Sequence, residues 1–224
     1  MKTRVLWCVC AAFVLSGVVA ALAADVGDPV YPIDMNGKIR AEVVYENVQR
    51  DVEITSGPAE GDGKVEADAY YLRIHTDVGK YAYLDFDLGG VDPKGGDLGF
   101  YGGVGLRATV YDGDVLRLGA FAQLHYAPGI ETEDDAEYDW LDGDAGILAA
   151  AKLKLDKELT VLPYAGPVFS IVRLDGDDDF EAEEDNPVGA AIGLALGLPG
   201  QNGLRFEARI FDEVSFSVAA SIAF

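Results

Sequence analysis

Polar and apolar residues alternate with a period of two along most of the chain after residue 36. This period is typical of β-strands, because successive side chains of a strand point to opposite faces of the sheet. Clusters of Gly, Asp, Pro and Asn, which break strands and form turns, separate the alternating runs. The pattern predicts ten strands, or eight if the short run 81–88 and the irregular run 159–174 are misread, and the ten runs cover residues 37–54, 65–77, 81–88, 98–111, 115–126, 140–155, 159–174, 187–198, 203–211 and 214–224.

The connections between the runs alternate in length. Tight turns are expected at 78–80, 112–114, 156–158 and 199–202, and longer acidic loops at 55–64, 89–97, 127–139 and 175–186. Short turns at one end and longer loops at the other are typical of outer-membrane barrels. The expected fold is therefore all-β: a closed, antiparallel, up-and-down transmembrane β-barrel over residues 37–224, with both termini on the periplasmic side.

The last two runs show what each face of the barrel wall contacts. In the final run, Val214, Phe216 and Ile222 share one face with Phe224, and small residues occupy the other face. The run before it alternates apolar residues with charged ones. Eleven residues are enough for a tilted strand to cross the hydrocarbon layer. We therefore expect lipid on the apolar face and a polar lumen on the other.

The same parity, applied to all runs, predicts which charged residues face the lumen. Eight bases meet seven acids in this set, and buried charges are costly unless they are paired. The balance predicts a packed, charge-paired lumen. Small inward residues on runs eight and ten leave a narrow pathway for small solutes as the alternative. The predicted lumen charge network comprises Arg40, Glu42, Glu46, Arg73, Asp85, Asp87, Arg107, Arg117, Asp142, Asp144, Lys152, Lys154, Arg205, Glu207 and Arg209.

Residues 1–23 have the features of a cleaved secretory signal peptide. Lys2 and Arg4 precede a long apolar run, and Ala-Leu-Ala ends at residue 23. An uncleaved membrane anchor is the alternative. The chain's only cysteines, Cys8 and Cys10, lie in this segment, so the mature protein has none. Residues 24–36 form a short lead before the barrel.

The charge of the chain excludes some partners. The formal net charge is −22, and removal of Lys2 and Arg4 makes it −24. Such acidity argues against nucleic acid, whose phosphates require Lys and Arg. Residues 175–179 resemble the start of a calcium loop, but Phe180 and Asn186 stand where the EF-hand pattern needs Gly and Glu. Loose binding of divalent cations by the acidic loops remains open, and no cofactor is expected.

The signal peptide, the alternating connections and the terminal aromatic resemble the small outer-membrane β-barrel superfamily, with the OmpA-type and opacity-type barrels nearest in pattern. The resemblance implies that Phe224, with Phe216 and Ile222 on the same face, is recognised by the barrel-assembly machinery. OmpA-type barrels have eight strands, whereas ten are expected here. Omptin proteases have ten, but their catalytic Asp and His pairs cannot be placed in this sequence.

These observations favour a structural or surface-interaction barrel in the outer-membrane lipid of a Gram-negative-type bacterium, with acidic loops outside. A narrow pore or passive transporter is the alternative. A barrel enzyme acting on lipids or peptides is less favoured, because no nucleophile accompanies His75 or His125 in the sequence. A soluble periplasmic barrel of lipocalin type would bury the apolar face instead, and the charged inner face and Phe224 disfavour it.

Overall fold

The computed structural model describes residues 39–56, 61–78, 81–131, 137–155, 159–176, 180–198 and 202–223. The predicted signal peptide and lead, Phe224 and the central residues of several predicted turns lie outside this part of the chain. No helix within the described ranges is long and apolar enough to cross a membrane. The described residues form one antiparallel sheet.

The sheet contains twelve strands in the described residues. Ten form the wall of the barrel, and two short segments, β7 and β9, extend it. The strands are β1 (Arg40–Ser56), β2 (Gly61–Asp77), β3 (Ala82–Pro93), β4 (Gly99–Asp112), β5 (Leu116–Glu131), β6 (Glu137–Ala151), β7 (Leu153–Lys154), β8 (Thr160–Gly176), β9 (Glu181–Glu184), β10 (Val188–Leu198), β11 (Asn202–Ile210) and β12 (Val214–Ala223).

The sheet closes on itself. β12 pairs with β1, with Arg40 opposite Ala223, and β8 pairs with both β6 and β10, so hydrogen bonds run around the whole ring. β6 and β7 together make one wall strand, interrupted at Lys152. The predicted closed barrel of ten strands is confirmed, and the eight-strand alternative is wrong. Closure leaves no edge strand in the wall, so its backbone N–H and C=O groups are paired with neighbouring strands, as a sheet inside a bilayer requires.

The two faces of the wall differ as the alternation predicted. Large apolar side chains such as Val43, Phe86 and Ile192 are exposed on the outside. At one end of the barrel this apolar band stops at Tyr45 and Tyr70, which stand opposite each other on β1 and β2 with ring centroids 5.2 Å apart. Aromatic residues at this position are typical of the boundary between hydrocarbon and water.

The strands continue beyond the apolar band, where the sequence predicted long loops. β1 and β2 remain paired up to Ile54 opposite Gly61, and β3, β5, β6 and β8 also continue into segments predicted as loops. The loop predictions at 55–64, 89–97, 127–139 and 175–186 are therefore largely wrong. Charged residues mask the strand signal there, because the outer face of these segments is polar and no longer apolar. We call the part of the barrel beyond Tyr45 and Tyr70 the extension; it comprises residues 46–56, 61–69, 89–101, 127–131, 137–140, 172–176 and 181–184.

The ring is narrower in the extension than in the apolar band. β9 pairs with β8 on one side and with β1 on the other, where Glu184 stands opposite Val52. The β11–β12 hairpin turns at residues 211–213, below β9, so the ring loses two strands at this level. Pro187 lies between β9 and β10 and separates them, because proline lacks the N–H that a ladder requires. The extension is thus a closed barrel of its own, continuous with the wall below.

β8 has an apolar inner face, which explains why the run 159–174 matched neither face in the sequence. Leu162, Tyr164 and Val168 point into the lumen and pack against small residues of β10 such as Ala191 and Ala195. Inside the extension a second apolar cluster fills the barrel, and its buried members include Val48, Val52, Val65, Ile130, Trp140, Leu174 and Ala182. The lumen therefore has apolar packing at both levels, with charges between.

Candidate functional site

The structure brings together most of the charges that the sequence placed in the lumen. Thirteen of the fifteen are between 1% and 6% exposed, and these are Arg40, Glu42, Glu46, Arg73, Asp85, Asp87, Arg107, Arg117, Asp142, Asp144, Arg205, Glu207 and Arg209. They come from seven different strands whose inward positions alternate with lipid-facing residues. Twelve of them line the central lumen, and Arg117 lies apart at the short-turn end.

Lys152 and Lys154 do not belong to the central lumen. Lys154 is exposed, and Lys152 is half-buried and pairs with Asp112. Arg117 binds the same carboxylate, with Nε 2.8 Å from Oδ1. The wall strand breaks at Lys152, so the parity of β6 no longer applies beyond it. Lys152 and Arg117 thus form a separate cluster with Asp112 at the short-turn end of the barrel.

A bulge explains why Asp112 was missed. The register between β4 and β5 shifts between Thr109 and Tyr111. An extra residue in one strand reverses the facing of every residue after it. Tyr111, which the parity of Arg107 would place inward, is therefore exposed outside, and Asp112 turns toward Arg117.

The first group of central contacts is centred on Asp87 of β3. Arg73 binds it with two parallel hydrogen bonds, Nε to Oδ1 at 2.8 Å and Nη2 to Oδ2 at 2.7 Å. Nε2 of His125 lies 2.7 Å from the same Oδ2. The imidazole stacks on Tyr101 at 4.8 Å between centroids, and the Tyr101 hydroxyl donates to Asp142 at 3.2 Å. Charge-assisted, bidentate bonds of this kind are the strong ones in proteins.

A second group surrounds Asp85, also on β3. Nε of Arg107 lies 2.6 Å from Oδ2, and Nδ1 of His75 lies 2.6 Å from Oδ1. The other imidazole nitrogen faces Glu42 at 3.5 Å, and Arg205 approaches Glu42 at 3.7 Å. This group therefore links β1, β2, β3, β4 and β11 across the lumen.

Arg209 is the centre of a third group. It contacts Glu207 at 2.8 Å, Glu46 at 3.3 Å and also Asp144. The Tyr71 hydroxyl donates to Glu46 at 2.9 Å, which joins β2 to this group. Further links come from two neutral side chains: the Tyr164 hydroxyl donates to Glu207 at 2.7 Å, and Gln123 lies 3.4 Å from both Arg73 and Arg107 and 3.2 Å from Asp144.

One buried pair was absent from the predicted network. Arg50 contacts Glu184 at 3.2 Å, with both side chains 3% exposed or less, and its guanidinium lies 4.2 Å from the centroid of Phe211. Extending the parity of β1 by two residues beyond Val48 would have found Arg50. No signal could have found Glu184, because its facing depends on the position of β9.

Glycine makes room for the large lumen residues at two positions. A Cβ atom at Gly103 would collide with the imidazole of His125, and one at Gly193 would collide with the phenol of Tyr164. The glycines of β4 and β10 are thus strand positions where a large neighbour occupies the space of the missing side chain.

The central lumen is filled rather than open. A water-wide passage would expose the side chains that line it, yet the charged residues of the three groups are at most 6% exposed. Small inward residues of β10 and β12, such as Ala195 and Ser217, are also buried, because long side chains from the opposite wall occupy the space beside them. Loss of one partner from any of these pairs would leave a buried charge alone, which is costly.

The extension carries a strongly acidic surface. The described bases on this surface are Lys64, Lys94 and Arg173, whereas Arg50 is buried inside. The hydrogen bond with Glu213 raises the pKa of Lys64. Part-exposed or exposed acids on the extension and its connecting residues are Asp51, Glu53, Asp62, Glu66, Asp68, Asp92, Asp97, Glu131, Glu137, Asp139, Asp175, Glu181, Glu183, Asp185, Asp212 and Glu213. Near its end is a cleft of about 270 Å³ whose lining includes Val65, Tyr138, Leu174 and Phe180.

No metal site is evident in the described ranges, where no group of three or more His, Cys, Asp or Glu residues is placed to hold an ion. Residues 177–179 of the acidic 175–186 segment lie outside those ranges. Phe216 and Ile222 point outward on β12 and are exposed. Phe224 is outside the described residues, so its role in assembly remains a prediction.

Comparisons with known proteins agree with the geometry of the wall. No family model matches the chain, and no curated protein matches it in sequence. Its structure is similar to that of an outer-membrane channel from Pseudomonas putida, with 10% identity and a TM-score of 0.50 over 90% of this chain and 100% of that one. The translocator domain of the autotransporter NalP from Neisseria meningitidis gives 10% identity and a TM-score of 0.45 over 100% and 97% of the two chains.

The fold is that of an outer-membrane β-barrel. The similarity supports this general class and not the OmpA type in particular.

Proposed function

We propose that the protein is a closed barrel of the bacterial outer membrane that holds an acidic extension at the cell surface for contacts with other molecules. The filled lumen is the observation that carries this proposal. Side chains from opposite walls meet in the three ion-pair groups, so the barrel supports a rigid surface structure instead of conducting solutes.

The orientation follows from the two ends of the barrel. One end has tight turns, and the other has the extension, whose strands continue beyond the apolar band. Bacterial barrels carry short turns on the periplasmic side and long connections outside. In this orientation the extension projects from the cell. Residues 46–56 of β1 alone run about 35 Å along the strand at roughly 3.3 Å per residue.

Conductance across a planar bilayer tests the proposal. The refolded protein is expected to insert without discrete conductance steps at neutral pH. The control is the double variant Tyr164→Ala, Arg209→Ala, which shortens two buried side chains beside the small residues of β10 and β12. Steps from the variant alone would show that the assay detects an opened lumen and that the native lumen is closed.

A narrow pore is the second candidate, because the similar structure from Pseudomonas putida is described as a channel. Reproducible steps from the unaltered protein would support that function and overturn ours.

A further inference from the structure

Each of the two histidines lies between two carboxylates inside the lumen. Nδ1 of His75 is 2.6 Å from Asp85, and its Nε2 is 3.5 Å from Glu42. His125 has the reverse arrangement, with Nε2 2.7 Å from Asp87 and Nδ1 3.7 Å from Asp142. Both residues are 1% exposed, so bulk water does not reach them.

A neutral imidazole does not suit this environment. It has one N–H donor and one nitrogen with a lone pair. Whichever nitrogen of His75 carried the proton, the other would direct its lone pair at a carboxylate, and the same holds for His125. Such repulsion is strong where water is excluded. An imidazolium instead carries a proton on both nitrogens, so that its positive charge attracts both carboxylates.

We propose that His75 and His125 are two proton-binding sites, each holding an imidazolium that joins two carboxylates and keeps the lumen closed. This goes beyond the closed-barrel function, because it states what holds the closed state together. It also predicts that the closed state depends on pH.

The groups around each ring come from every neighbouring wall. His75 faces Asp85 and Tyr83 of β3 and Glu42 of β1, and the arginines bound to these carboxylates are Arg107 and Arg205. The groups that face His125 are Asp87, bound by Arg73, together with Asp142, Tyr71 and Tyr101. In these four contacts of the described residues, the partner of each imidazole nitrogen is a carboxylate.

The arginines of the central lumen do not neutralise its carboxylates. Arg117 is excluded from this comparison because it pairs with Asp112 at the short-turn end. Six buried arginines remain in the described residues, Arg40, Arg50, Arg73, Arg107, Arg205 and Arg209, and they face seven buried carboxylates, Glu42, Glu46, Asp85, Asp87, Asp142, Asp144 and Glu207. The buried side chain of Glu184 adds an eighth. Imidazolium at both histidines supplies the missing positive charge.

Folding then takes up protons at neutral and mildly alkaline pH. Histidine in an unfolded chain titrates near about 6.5, so it is neutral at pH 8, whereas the folded lumen holds both protons. Stability falls with rising pH wherever the folded state binds more protons than the unfolded state. Once a proton is lost, one nitrogen of the ring directs its lone pair at a carboxylate, and the contacts that cross the lumen weaken.

Nitrogen NMR of the folded protein, labelled at the histidine rings and held in detergent micelles at about pH 8, tests the protonation directly. We expect both nitrogens of each ring to give the signal of a protonated nitrogen, as in imidazolium. One protonated and one unprotonated nitrogen per ring would overturn the proposal. This result does not depend on whether the barrel conducts, so it is separate from the test of the closed-barrel function.

Unfolding in urea between about pH 7.5 and 8.5 measures the same protons independently. If folding takes up two protons, the unfolding equilibrium constant of the native protein rises nearly a hundredfold per pH unit. For the single variants His75→Gln and His125→Gln, which each lose one of these protons, the rise is about tenfold. Gln123→Leu removes a neutral lumen side chain and keeps the full dependence. A native protein whose unfolding constant does not change over this range would overturn the proposal. If a histidine variant does not fold, the native slope and the NMR signals decide alone.

Discussion

At the scale of single residues, the charges of the lumen differ from those of the surface in what their loss would cost. Arg73 and Asp87 are each at most 1% exposed at the side chain, and their two hydrogen bonds replace the water that both groups have lost. Lys94 and Glu66 form a short ion pair as well, at 2.6 Å, but the lysine is 77% exposed and stays hydrated. Burial therefore decides which pair stabilises the barrel, since exposed pairs contribute little.

Replacing Arg73 by methionine is expected to destabilise the barrel by about 3–5 kcal/mol, because Asp87 keeps its burial and loses its bidentate partner. The matched control is Lys94→Met, for which no measurable change is expected. Urea midpoints of the two refolded variants against the native protein provide the measurement. If the midpoint of Arg73→Met equalled those of Lys94→Met and the native protein, the lumen pair would not stabilise the barrel.

At the scale of the strands, the alternation identified ten wall strands because lipid on one side and a polar lumen on the other impose a strict period of two. The signal weakened where that contrast ends. In β8 the inner face is apolar at Leu162 and Val168, so both faces look alike. Above Tyr45 the polarity of the two faces reverses, with polar residues such as Glu53 outside and apolar residues such as Val48 and Val52 inside. The bulge at Thr109 was also invisible, because nothing local in the sequence marks the shift of register.

β9 provides a test of the narrowed extension. Ala182 is fully buried in the apolar cluster between β8 and β1, while its neighbour Glu183 points to solvent. Ala182→Asp buries a charge there and is expected to detach β9, so that residues 180–187 become open to protease while the barrel below stays assembled. Glu183→Ala, the control at the adjacent position, should leave cleavage unchanged. Equal protection of both variants would mean that β9 does not depend on this packing.

At the scale of the whole molecule, the sequence pattern predicts which charges point inward but not which of them are in contact. Parity alone identifies which side chains point inward, and thirteen of the fifteen predicted residues are buried. Which of them meet depends on how the register of each strand advances around the ring, and no single sequence run contains that information. The acidic residues that outnumber the bases of the chain lie mostly on the surface of the extension. They are hydrated there and need no buried partner.

The acidic surface of the extension leads to a prediction about its contacts. Many like charges on one rigid surface attract cationic molecules through a field that salt screens. A lysine-rich peptide is therefore expected to bind the refolded protein at about 0.01 M salt, where the Debye length is about 30 Å, and to dissociate at about 1 M, where it is about 3 Å.

Four acids that form no ion pair described above allow this binding to be assigned to the extension. The combined variant Glu53→Gln, Asp62→Asn, Asp92→Asn and Glu131→Gln should bind the peptide several-fold more weakly in a calorimetric titration, because four charges leave one surface. The control Gln49→Ala, Thr55→Ala alters β1 of the extension without changing its charge and should bind as the native protein does. Binding that survives in the four-acid variant would place the contact elsewhere, whereas its loss in that variant alone would make the extension the part of the molecule that meets other molecules at the cell surface.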